Sequence, residues 1–188
     1  MNLLKDRTFT SFVIRFLLIF AVLYFGTLAV IGLAAPGGLY SPFIDHYLDY
    51  VSWIKTSLVK GTAFFAGLFG YETYEVPNHI IRVVNGSGVR IAYSCVGYGV
   101  YSFWVAYVLA SRGSAGKKAV WALSGVVALW TINVLRIGLL LIALNRNWPM
   151  PLGLDHHTWF NIVAYLVIFF MIYFFERSGI FERKTQKD

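Results

Sequence analysis

Thiols are almost absent from this chain: Cys95 is the one cysteine in 188 residues. A lone cysteine excludes an internal disulfide and any metal centre built from several thiolates. Charge is scarce as well, at 13% of residues, against about 25% in soluble domains. Such a chain lacks the polar groups to cover its own surface in water. No metalloprotease helix motif, GxSxG elbow or phosphate-cradling loop occurs. Internal repeats and low-complexity tracts are missing too. The net charge of +7 comes without a basic stripe interleaved with aromatics, which argues against nucleic acid as a partner.

What is present is apolar. Hydrophobic residues make up 58% of the chain and aromatics 18%, with a mean hydropathy of +0.64. Lipid is the solvent this composition suits. The first apolar run, 12–33, is long enough to cross a bilayer core, which needs about 20 helical residues. It follows Lys5 and Arg7 and exceeds a usual signal-peptide core, so it reads as a retained anchor helix closed by Pro36-Gly37-Gly38. In 41–70, Phe43, Ile44, Tyr47, Leu48, Val51, Ile54 and Leu58 recur at helical spacing with Asp45, Asp49, Ser52 and Lys55 between them. That pattern predicts an amphipathic helix lying in the interface.

Residues 71–94 alternate in short strand-like runs. Asn85-Gly86-Ser87-Gly88 tolerates positive φ and predicts a β-hairpin, which must sit in water because open strands cannot face lipid. Three further apolar runs, 94–111, 119–144 and 158–175, each predict one span. The expected fold is an all-α polytopic membrane protein forming one integral membrane domain over 1–188. It has about four transmembrane helices, an extracytoplasmic amphipathic helix and a short β-hairpin, with 94–175 as a three-helix core.

Charge orients it. With the amino terminus in the cytoplasm, Lys5, Arg7, Arg15, Arg112, Lys117, Lys118 and the basic tail from Arg177 lie inside. The outer segments carry Lys55, Lys60, Arg82, Arg90 and Arg146 against Asp45, Asp49, Glu72, Glu75 and Asp155. The positive-inside rule selects this arrangement, with both termini cytoplasmic.

Three chemically distinct groups then share the outer layer. Cys95 begins the second span, Arg136 lies about 12 Å inside the outer end of the third, and His156-His157 open the fourth. Cys95, Tyr98, Gly99, Ser102 and Ala106 are expected on one helical face. Asn133 and Arg136 are one turn apart. His157, Asn161 and Tyr165 form a second stripe, which favours His157 over His156 as the inward imidazole. An intramembrane arginine is costly and marks function more often than structure. Trp148 and Trp159 offer the imidazoles a duller role as interface anchors. A metal is a poor fit to two adjacent histidines and Asp155, and no cofactor is implied; His46 and His79 lie elsewhere in the outer region. As a set, Cys95 is suited to nucleophilic attack, His157 or His156 to acid/base work and Arg136 to stabilising an anion.

Ser94-Cys95-Val96-Gly97 heading one span, Asn133-Val134-Leu135-Arg136-Ile137 within the next and a histidine motif heading the last resemble the exosortase/archaeosortase family of membrane-embedded cysteine transpeptidases. The likeness covers roughly 75–175. Two departures stand out: Val96 where members commonly carry serine, and His156-His157-Thr158 where they carry His-Asp. The resemblance implies an enzyme of the cytoplasmic (inner) membrane with its active site on the extracytoplasmic side. Its partners would be exported proteins bearing a C-terminal sorting signal, within membrane lipids. Cys95 would form a thioester and an acceptor would resolve it. Tyr98, Asn133 and Asn161 would support the catalytic groups. Two other readings are an intramembrane cysteine peptidase with water as acceptor and a non-enzymatic membrane assembly subunit. A transporter is disfavoured by the lack of an inverted repeat.

Overall fold

The computed structural model describes residues 7–35, 39–148 and 156–178, without the side chains of 156–161. Lys5, the expected stop at Pro36-Gly37-Gly38, Asp155 and the basic residues beyond Arg177 lie outside the described residues. The chain is mostly helical, with one small antiparallel sheet. The first helix, α1, runs Arg7–Ala34. Its Phe12, Phe16, Phe20 and Tyr24 stack at i, i+4 spacing, with ring centroids 5.5–6.3 Å apart. This aromatic ridge lies against helix α4, Tyr98–Ala110. Phe12 meets Tyr107 at 5.7 Å, Phe16 meets Phe103 at 5.3 Å and Tyr24 meets Tyr98 at 5.4 Å. The two helices are therefore antiparallel. The opposite face of α1 leaves Leu18, Val22 and Phe25 exposed, an apolar stripe of the kind that meets lipid or another protein.

The segment after α1 forms two helices, α2 at Pro42–Tyr47 and α3 at Tyr50–Gly67. Asp49 makes the division, accepting a bond from the Ser52 N–H at 3.0 Å as the α3 N-cap. Tyr50 and Thr27 join hydroxyls at 2.6 Å, fixing the start of α3 beside α1. The expected interfacial helix is therefore broken in two, and α3 packs along helix α5, Ala115–Asn145. Ser57 accepts from the Trp130 indole at 3.0 Å. Four residues on, a Cβ at Gly61 would press on Val134. Four more place Phe65 over Gly138. Equal steps along both helices mean that they run parallel.

Strands β1 (Thr73–Val76), β2 (Ile80–Val83) and β3 (Gly88–Arg90) form an antiparallel sheet in that order. The predicted β2–β3 hairpin is present, turning at Asn85 with φ of 58°, and β1 adds a third strand through the register Val76↔Ile80. Ile81, Val83 and Ile91 bury one sheet face against Leu58 and Ala66 of α3 and Ile137 and Leu141 of α5. The hairpin tip is pinned to the end of α5: Asn145 accepts from the Ser87 N–H at 2.8 Å.

Helix α6 spans His156–Arg177. It meets the second core, where Trp104, fully buried, lies against Phe175 and under Gly125 of α5. Among the described residues, α1 and α5 are long and apolar enough to cross a membrane. The 13 residues of α4 rise only about 20 Å, short of a bilayer core of about 30 Å. The expected 94–111 span is thus cut at its outer end. Gly97 is the reason: its φ of 75° ends one turn before the helix begins.

Candidate active site around Cys95

Strand β3 leads through Ile91 into a short 3-10 turn, Tyr93–Cys95. The Cys95 N–H donates to the Ala92 carbonyl at 3.0 Å and the Val96 N–H to that of Tyr93 at 3.1 Å. Val96 is buried and plugs the turn into the core. Gly97 then takes its left-handed conformation and α4 starts. Cys95 is therefore not on the α4 face with Ser102 and Ala106, as helical spacing suggested; it precedes the helix in the 3-10 turn. The first N–H groups of a helix lack intrahelical acceptors and carry its positive dipole end.

Asn133 holds the turn from across the bundle. Buried to 1% exposure, it donates through Nδ2 to the carbonyls of Cys95 at 2.7 Å and Val96 at 3.3 Å. One turn further along α5, Arg136 lies about 14 Å from the helix end. A cavity of about 160 Å³ is lined by Cys95 and Arg136 together with Ser94, Arg90, Ile91 and Leu140. Arg136 also lines a cleft of about 730 Å³, walled by Phe20 and Tyr24 of α1, by Gly97, which caps α4, by Tyr98 and Phe103 of α4, and by Tyr165 and Ile168 of α6. Its size falls in the usual range for ligand pockets, about 300–1,000 Å³. Cys95 and Arg136 are thus brought to one cavity from two separate stretches of chain, with Asn133 holding the Cys95 turn and Tyr98 lining the larger cleft.

The side chains of His156, His157 and Asn161 lie outside the described residues. Backbone register still locates them. Antiparallel α5 and α6 match Trp121 with Phe175, Gly125 with Met171 and Asn133 with Ala164. Continued outward, that register sets Asn161 level with Arg136 and His157 level with Leu140, which lines the smaller cavity. His46 packs edge-on against Tyr47 in α2, and His79 closes the β1–β2 turn at φ of 57°.

Lys55 is the residue that sequence reasoning misplaced. Set among the polar positions of an interfacial helix, it is instead buried, at 7% exposure. The buried stripe of α3 is Val51, Lys55, Leu58, Val59, Thr62 and Ala66. The Lys55 ammonium sits 4.2 Å above the Tyr93 ring centroid, two residues before Cys95. Burial holds this amine below its ordinary value of 10.5, with Asp49 pulling the other way and Arg90 adding to the fall. His79 is also held down, first by burial and then by Lys55. The clue in the sequence was the i, i+4 spacing of Lys55 from Val51 and of Val59 from Lys55. Among the described residues no cluster of three His, Cys, Asp or Glu could hold a metal. Comparison with known proteins finds no matching family model, no matching curated sequence and no matching solved structure.

Proposed function

We propose that this chain is a cysteine transpeptidase of the cytoplasmic membrane, similar to the exosortase/archaeosortase family. It would cleave exported proteins at a C-terminal sorting signal and pass them to an acceptor. One observation carries the reading: Cys95 and Arg136 line the same cavity, with Asn133 clamping the turn that presents the thiol. Four helices, α1, α4, α5 and α6, form the membrane domain. From Arg7 to Tyr24 α1 rises about 26 Å, and from Lys118 to Arg136 α5 rises about 27 Å. With the basic residues at the inner boundary, the Cys95 turn stands near the outer edge of a core of about 30 Å. The short α4 suits this placement, because its missing outer turns are where the site opens. The sheet, α3 and the outer turns of α5 form a cap above it.

The chemistry follows from the groups. The Cys95 thiol gives its proton to the imidazole of His157 (or His156), and the sulfur attacks the scissile carbonyl carbon. Negative charge moves to the carbonyl oxygen, where Arg136, lining the same cavity as Cys95, would stabilise it. Collapse breaks the C–N bond, the imidazolium protonates the leaving amine, and a thioester stays on Cys95. An acceptor nucleophile then loses its proton to the imidazole, attacks the thioester and expels the thiolate. The aromatic walls of the larger cleft suit the apolar helix that follows a sorting motif.

The test is cleavage of a co-expressed reporter carrying a sorting-signal tail, with the native chain and Cys95→Ser at matched membrane levels. Processing by the native chain alone supports the reading. Mass spectrometry of the new terminus separates transfer from hydrolysis. Equal processing by both removes Cys95 as nucleophile. Normal function of a host lacking the native chain but supplied with both Cys95→Ser and Arg136→Ala would favour an assembly subunit instead.

A further inference from the structure

Among the described residues strand β3 is an edge strand, and its free side leads directly into the cavity that holds Cys95. The pairing shows which backbone groups are turned outward. The Ile91 N–H donates to the His79 carbonyl and the Val83 N–H to that of Ser87. Val89 stands opposite Ile81. Residues 87, 89 and 91 therefore bond inward to β2, and by alternation the N–H and C=O of Arg90 point away from it. Arg90 and Ala92 are both exposed. Two residues past Ala92 comes Ser94, and with Cys95, Arg136 and Arg90 it lines the same cavity. The face beside this edge is cationic. Arg90 and Arg82 project from it, and the Arg82 side chain lies across Gly88. The opposite edge, β1, carries Glu75 and follows Glu72.

We propose that the free edge of β3 receives an extended, acidic stretch of the substrate polypeptide as a fourth strand and delivers its end to Cys95. Strand addition takes affinity from main-chain bonds and selectivity from alternate side chains. Here the alternate side chains face Arg82 and Arg90, which favours carboxylates. The direction of the added strand rests on the sorting-signal reading; the strand site itself does not. The hairpin tip meets Asn145 at the outer end of α5, whereas Cys95 meets Asn133, about 18 Å deeper. β3 thus descends toward the membrane. A substrate with its exported domain outside and its anchor in the bilayer descends the same way, so the added strand is parallel to β3.

The full chain carrying Cys95→Ala and Ala92→Cys is reconstituted in lipid nanodiscs with an anchored reporter. The reporter tail is about eight alternating Thr and Glu residues, then an apolar helix of about 20 residues and an arginine end. Single cysteines are moved along the Thr/Glu stretch and disulfide yield is read. The proposal expects yields that alternate with period two. Arg90→Pro removes the outward N–H of an edge strand, which folds tolerate, together with the guanidinium, whereas Arg90→Ala removes the guanidinium alone. Relative to Arg90→Ala, Arg90→Pro should lower the yield about five- to tenfold, the worth of one backbone bond. Arg90→Ala keeps the alternation at lower yield. Proline placed along the reporter tail, where no folding question arises, should block pairing only at alternate positions.

A yield without alternation, or one indifferent to proline in both partners, overturns the proposal. A disulfide dimer of the Ala92→Cys chain in preference to the reporter gives the edge to β3 of a second copy and overturns it too. Alternation without cleavage of the same reporter by the native chain keeps the strand site and sinks the transpeptidase. Cleavage without alternation does the reverse.

Discussion

Replacing Asn133 by alanine tests whether one buried amide holds the nucleophile in place. The side chain is 1% exposed and donates to two carbonyls, those of Cys95 and Val96. Each bond contributes about 1 kcal/mol net, and leaving a buried acceptor without its donor adds about 1–3 kcal/mol. The longer of the two bonds, at 3.3 Å, is the weaker. A loss of about 2–4 kcal/mol is therefore expected. Asn133→Asp is the sharper variant: the shape is kept, but an oxygen replaces Nδ2 and faces two carbonyls, so its effect should equal or exceed that of alanine. Unfolding of the purified protein in detergent reads the stability. Maleimide labelling of Cys95 under native conditions reads the freedom of the turn, which should rise in both variants. Reporter processing should fall about 100-fold, the usual result of misplacing a reacting atom by about 1 Å. A stability change under about 0.5 kcal/mol, the scatter of neutral substitutions, together with unchanged labelling, would refute the clamp.

Three further outcomes are expected. Gly97→Ala forces a Cβ into a left-handed residue at φ of 75° and should cost about 1–2 kcal/mol of stability, with Gly97→Asn milder; detergent unfolding of the pair decides it. Gly125→Ala should destabilise by about 1–3 kcal/mol through overpacking, because its Cβ would fall on the buried Trp104 indole and on Met171; intrinsic Trp fluorescence and unfolding midpoints report the displacement. The third concerns Lys55, whose amine is held below 10.5 mainly by burial. The folded state then binds this proton less tightly than the unfolded chain does, so stability rises with pH from the folded value up to 10.5. As pH rises toward 10.5, the unfolding midpoint of the native chain should gain on that of Lys55→Met, the difference growing with pH. Equal slopes would show that Lys55 is solvated as in the unfolded chain.

Much of the cap was legible in part. The Asn85 turn follows from local tolerance of positive φ, and the β2–β3 pairing follows from it. β1 was visible as a strand-like run, but its partner was not, since strand pairing depends on contacts that local spacing does not encode. α3 was legible as a helix and misread in its environment. Its buried stripe runs through Lys55 and Thr62 because a facing helix and Tyr93, distant in sequence, supply the walls. Of the expected site, Cys95 and Arg136 line one cavity, while the side chains of His156 and His157 lie outside the described residues. That Cys95 stands off α4 was not legible, because a helix period cannot announce the one glycine that breaks it.

The sequence by itself determined the long apolar helices α1 and α5, the strand-forming character of 71–94 and the short list of reactive groups. These are local properties: a run of apolar side chains or a turn-forming tetrapeptide acts on its own few residues. Tertiary structure alone decided that Asn133 bonds the Cys95 turn, that Arg136 shares its cavity, that Lys55 is buried over Tyr93 and that β3 keeps a free edge beside the thiol. Each depends on the packing of elements tens of residues apart. The physical reason is that a helix or strand presents several faces, and only its neighbours decide which of them is buried.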